Sequence, residues 1–147
     1  MARARTSFCL LTLAALWLAA VNAAVASDDS FKVIVRSDNP VGSVNHDFLR
    51  NVFLKKAVRW GGGMAARPID LARDTPVRDR FGQEVLGKTP AQLRSYWIQR
   101  IFSGTDMPPP EAKSVAAAIA YVAANPGAIG YVPSAADCSS VKVVQVR

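Results

Sequence analysis

Three arginines crowd one short run of the chain. Asp70 to Phe81 reads DLARDTPVRDRF, with Arg73, Arg78 and Arg80 around a Thr75–Pro76 step. A guanidinium is a forked donor that matches phosphate and carboxylate oxygens. Thr75 is a good N-cap, and Pro76 suits the first helical position, where a missing N–H costs nothing. The run therefore reads as a strand giving way to a helix. Its first N–H groups and positive dipole end are a natural seat for an oxyanion. Arg73, Thr75 and Arg78 are the candidate ligand-binding residues. The same residues also fit a solvated helix start, with Asp74 and Asp79 as internal partners for the arginines.

Other chemistry is thinly supplied. His46 is the only histidine, and beyond the leader the only cysteine is Cys138. A thiol nucleophile would need Cys138 and His46 together, yet nothing around Asp137-Cys138-Ser139 looks like an activated thiol. The simpler reading is a tolerated thiol in a turn. Clustered metal ligands are lacking, and no G-x-S-x-G appears. No catalytic residue, metal or cofactor is expected. Lys55, Lys56 and Arg59 could meet an acidic partner, or form an ordinary basic loop.

Residues 1–26 read as a secretory signal peptide. Arg3 and Arg5 give the positive start, Phe8 to Val21 the apolar run, and Ala24-Val25-Ala26 the cleavage site before Ser27. Residues 27–147 then form one domain, sized for a real core. The formal charge of +7 falls by the two arginines to +5. A mildly basic exported domain favours anionic partners. It has no basic run or aromatic platform for nucleic acid.

Strands and helices are expected to alternate along this domain. Phe31–Arg36 is β-branched and strand-like. Ser43 is expected to cap a helix running to Leu54, followed by a glycine-rich loop to Gly63. Arg67–Leu71 reads as a strand, and the helix after Thr75 runs to Leu86, where Gly87 stops it. Thr89-Pro90-Ala91-Gln92 is a capping box. The helix it starts carries Leu93, Tyr96, Trp97 and Ile101 on its apolar face, for core packing rather than base stacking. Ser103–Pro110 can be neither helix nor central strand. A helix over Lys113–Ala124 and strands over Ala128–Val132 and Val141–Val146 complete an α/β layered domain.

These elements carry a resemblance. Asn125 to Val132 (NPGAIGYV) resembles the PGAIGYV element of phosphate-binding proteins of ABC transporters, which have the type 2 periplasmic binding protein fold. Leu49 to Leu54, with Trp60 and Gly61 to Gly63, is similar to their LxxIFLGKxxxWxxG segment, although Lys55 stands where a glycine is usual. Ser95-Tyr96-Trp97, Phe102-Ser103-Gly104 and Pro108-Pro109 resemble the YWxxxxFxG..PP stretch of small members. The resemblance implies a single lobe, a short sheet flanked by about four helices, where the parent proteins close two lobes on phosphate. It also implies a Ser-Gly-Thr turn six residues before a phenylalanine. Counted back from Phe81, Thr75, Pro76 and Val77 hold those places, and Leu71 holds that of the family's arginine.

Two expectations follow. The first is an exported, non-enzymatic, periplasmic module. It would bind phosphate or another small oxyanion, with a homodimer or partner lobe supplying the other wall, beside an ABC transporter. The second is an envelope accessory protein that keeps the fold without the ligand.

Overall fold

The computed structural model describes residues 28–147, so the expected leader and its cleavage site lie outside the described residues. The elements are β1 (Phe31–Val35), β2 (Ser43–Val44), α1 (His46–Phe53), β3 (Arg67–Pro68), β4 (Asp70–Leu71) and α2 (Pro76–Phe81). A π-helical turn (Gly82–Leu86) follows. Then come α3 (Pro90–Phe102), β5 (Glu111–Ala112), α4 (Val115–Ala124), β6 (Ala128–Pro133) and β7 (Lys142–Val146). Five strands form a sheet in the order β2-β7-β1-β6-β3. Strand β1 lies antiparallel between β6 and β7, while β3 runs parallel to β6. A separate parallel pair joins β4 to β5.

The central strands are apolar because both faces are covered. Val33 to Val35 and Ala128 to Val132 are all buried. An aromatic cluster ties α2 to this sheet. Phe81 stacks on Tyr131 with ring centroids 3.8 Å apart, and Phe53 and Phe31 meet Phe81 edge-on at 4.8 and 5.3 Å. Such contacts add to plain area burial and fix ring orientation.

The start of α1 differs from expectation. Ser43 does not cap it; Ser43 and Val44 pair with Gln145 and Val146, and Asn45 is the cap, its side chain accepting from Phe48 N at 2.6 Å. The edge of β7 offers a non-local ladder that local capping signals cannot reveal.

At the other end, α1 closes in a Schellman motif. Lys56 N donates to the Asn51 carbonyl (2.7 Å) and Lys55 N to that of Val52 (3.1 Å). Lys55 therefore takes the left-handed conformation, with φ 58°. Glycine would take this conformation freely, whereas a lysine holds it at a steric cost. Lys55→Gly should raise stability by ~0.5–1 kcal/mol, since relief of the left-handed strain is partly offset by glycine's entropy. Urea denaturation checks this; an unchanged or lower midpoint contradicts it.

Two further expectations need amendment. Arg67–Leu71 is not one strand but two: β3 pairs with β6, and the chain then swings so that β4 pairs with β5. The helix after Thr75 is α-helical only to Phe81 and reaches Leu86 as a π turn, ended by Gly87 at φ 63°. The capping box at Thr89 forms as expected, with both reciprocal bonds. On α3, however, only Trp97 is buried; Leu93 and Tyr96 are half-buried and Ile101 is exposed. Among the described residues no helix is long and apolar enough to cross a membrane.

Candidate functional site

The β4–β5 pair and the start of α2 together place the arginines. Arg78, one turn into α2, points back over β4. Its Nη2 lies 2.7 Å from Asp70 Oδ2, and its Nη1 lies 3.2 Å from Glu111 Oε1. Arg73, in the loop between β4 and α2, donates from Nε to the same Glu111 oxygen at 2.9 Å. Two guanidiniums thus meet on one carboxylate. The arginines differ in setting: the Arg73 side chain is 71% exposed, that of Arg78 only 13%.

Asp70 is the buried anchor. Its Oδ1 accepts from the Tyr131 hydroxyl and from Leu71 N. Burial pushes the Asp70 carboxyl above its ordinary value, although Arg78, Tyr131 and the Leu71 N–H all work against this. Burial, with Asp70's charge beside it, also raises the Tyr131 hydroxyl. Partial burial acts to raise Glu111, but hydrogen bonds and charge from Arg73 and Arg78 outweigh it and hold that carboxyl below its ordinary value.

Thr75 occupies the N-cap position with extended backbone, yet its side chain does not cap. Its hydroxyl donates to the Ala72 carbonyl at 2.7 Å. The helix start has few free donors, since Pro76 has no N–H and Arg78 N donates to the Thr75 carbonyl at 2.9 Å. The guanidiniums, rather than the helix end, are the donors at hand.

Arg73, Arg78 and Glu111 line one side of a cavity of about 480 Å³ between α2, α3 and the Pro108 loop; Thr75, Asp70 and Tyr131 lie outside its lining. Lys88 and Arg94 line it too, and Leu93, Trp97, Ile98, Ile101 and Pro108 form an apolar wall. That volume lies within the range of small-molecule sites.

Arg73 and Arg78 therefore meet on Glu111, whereas the Thr75 hydroxyl is turned to the Ala72 carbonyl and does not join them. The ion-pair partners differ from those expected. Asp74 and Asp79 pair with neither arginine; Glu111 and Asp70 do. Glu111 follows the proline run and carries no local signal of its role. Only the parallel pairing of β4 with β5 brings it to Arg73. Cys138 sits half-buried in the turn before β7, its thiol directed at the Ala136 carbonyl 3.6 Å away.

The glycine-rich loop after α1 is pinned rather than free. Trp60 is buried, and its Nε1 donates to the Gly127 carbonyl at 2.9 Å. The NPGAIGYV element is thereby joined to the Trp60 loop, two of the three segments that carry the resemblance.

Comparison with family models and with curated proteins finds no match. Solved structures do match. An ABC-type phosphate transport receptor from Vibrio cholerae superposes with a TM-score of 0.64 at 16% identity, over 79% of this chain and 45% of that one. A putative phosphate ABC transporter substrate-binding protein with bound phosphate, from Clostridium perfringens, gives 0.61 at 19% identity, over 79% and 44%. PstS from Borrelia burgdorferi gives 0.62 at 11%, over 80% and 47%. The chain spans less than half the length of each. It has the mixed α/β fold of these phosphate receptors, in the extent of a single lobe.

Proposed function

We propose that this chain is an exported, non-enzymatic solute-binding module that takes phosphate or another small oxyanion at Arg73, Thr75 and Arg78. The observation that carries this reading is the convergence of Arg73 and Arg78 on Glu111 Oε1 at the rim of the cavity. A carboxylate is itself an oxyanion, so Glu111 holds a seat already built for one. The Thr75 hydroxyl is a rotor and can turn to a ligand at the loss of one hydrogen bond. The fold shared with phosphate receptors supports the ligand class, the periplasmic setting and an ABC transporter as partner.

Glu111 also competes with the ligand for both guanidiniums. Glu111→Gln removes a negative charge beside the seat and frees the donors. At the intermediate dielectric of a partly exposed site this should strengthen phosphate binding about tenfold. Arg73→Ala should weaken it by a similar factor, about tenfold, with the fold intact. Calorimetric titration with phosphate, using sulfate as the control, measures both. No heat and no thermal stabilisation at millimolar phosphate, in the wild type and in Glu111→Gln alike, would sink the reading.

One observation speaks for the second reading, an envelope accessory protein without a ligand. Both arginines already have internal carboxylate partners, so their charges are matched without any anion. The Glu111→Gln titration separates the two.

A further inference from the structure

The uncovered face of α3 carries the next inference. This helix is well made, with a capping box and proline at its first position. On its inner side Trp97 is buried and Leu93 and Tyr96 pack against the core, whereas Ile98, Ile101 and Phe102 fall at i, i+3 and i+4 on a solvent-facing stripe. Phe102 is 88% exposed and Met107, in the loop that follows, 70%. Single exposed apolar residues are ordinary, but a contiguous set beside a cavity marks an interaction surface.

The rim of this surface indicates what covers it. Lys88 and Arg94 line the same cavity as Asp74 and Asp79. Among the described residues none of the four makes an ion pair within 4.0 Å. Asp74, Asp79 and Arg94 are exposed, and Lys88 is half-buried with its ammonium 5.5 Å from the centre of the Tyr96 ring. A ligand of one sign would leave half of these charges unmatched. A second copy of the same surface can match both signs at once, because a two-fold axis brings residue i to j and j to i.

We propose that this face is a self-association surface, on which a second copy of the chain docks. Ile98, Ile101, Phe102 and Met107 form its apolar centre. Lys88 and Arg94 of one copy meet Asp74 and Asp79 of the other. An apolar centre inside a charged rim is the anatomy of a specific interface. The inference goes beyond the anion reading and stands whether or not phosphate binds.

Sedimentation equilibrium of the protein, expressed from its full sequence and purified as the cell processes it, tests the proposal. The wild type should show a reversible dimer. Phe102→Glu and Ile98→Glu should each weaken it by at least about tenfold, as loss of a central apolar anchor does. Both positions are exposed, so circular dichroism should be unchanged. A charge-swapped pair gives the sharper test. Lys88→Glu with Arg94→Glu in one chain, and Asp74→Lys with Asp79→Lys in another, should each abolish self-association, and mixing the two chains should restore a dimer. A monomeric mass from micromolar to millimolar protein overturns the proposal. So does a dimer indifferent to Phe102→Glu, or a mixed sample that stays monomeric.

Discussion

Gly127→Ala should remove most of the protein's stability. Gly127 sits at φ 77° in the turn between α4 and β6. A methyl group built there would lie 2.0 Å from the Ala65 carbonyl oxygen and 3.2 Å from the Ala65 carbonyl carbon. The neighbour is backbone and cannot rotate away. The left-handed conformation alone costs a non-glycine residue ~1–2 kcal/mol. Relief of the clash requires the turn to withdraw from the Trp60 loop. That breaks the bonds from Trp60 Nε1 and Arg67 N to the Gly127 carbonyl, now 2.9 and 3.0 Å. Both donors belong to chain packed against the core, and a stranded buried donor costs ~1–3 kcal/mol. The total exceeds ~4 kcal/mol, a large share of what a domain of this size commands. Gly104 is the control. Its φ is 66°, but nothing lies within 4 Å of the added methyl, so Gly104→Ala should cost only ~1–2 kcal/mol. Denaturant unfolding followed by tryptophan emission compares them. Equal losses would mean that φ alone decides and the close approach does not matter.

Much of this fold is legible in the sequence, for physical reasons that differ between segments. Gly127 and Gly130 of NPGAIGYV both stand where there is no room for a side chain: at Gly127 the neighbour is Ala65 backbone, and a methyl on Gly130 would meet the Ile69 side chain, Cγ2 at 2.8 Å. The capping box at Thr89 and the stop at Gly87 are local and self-contained, so they survive in the tertiary structure. What fails is whatever depends on a distant partner. Ser43 has good local capping chemistry, but its neighbours at Gln145 and Val146 come from the far end of the chain. Ile101 has the spacing of a core residue, yet helical periodicity shows which residues share a face and not whether anything covers that face.

The site divides along the same line. Arg73, Thr75 and Arg78 can be singled out because they are close in sequence and surround a helix start. Glu111 and Asp70 cannot, because their roles arise from the pairing of β4 with β5 and from Tyr131 reaching across from β6. Read as a sequence, the run is either a seat for an anion or a solvated helix start whose arginines turn to Asp74 and Asp79. Read as a structure, it is a network in which one arginine is mostly buried and structural, and the other is exposed and exchangeable.

That distinction sets the second large effect. Arg78→Ala should destabilise the protein by ~3–5 kcal/mol, the usual result of removing one partner from a buried ion pair. The loss arises mainly at Asp70, which keeps its hydrogen bonds from Tyr131 and Leu71 but loses the guanidinium at 2.7 Å. Arg73→Ala, on a largely exposed side chain, should shift stability by less than ~1 kcal/mol. The pH dependence identifies the cause. Burial already holds the Asp70 carboxyl above its unfolded value, and Arg78 opposes that rise. Without Arg78 the folded value climbs further. A group raised in the fold binds more protons there than in the unfolded chain, so its contribution to stability is lost as pH rises through the folded value. The gap between wild type and Arg78→Ala should therefore be widest at neutral pH and narrow on acidification, as Asp70 becomes neutral. Asp70→Asn combined with Arg78→Met, which removes both charges, should recover much of the deficit. A gap independent of pH would place the cost in lost packing of the arginine stem instead. Either way, weakened phosphate binding in Arg78→Ala alone would confuse unfolding with loss of contact, and the ligand question rests with Arg73→Ala and Glu111→Gln.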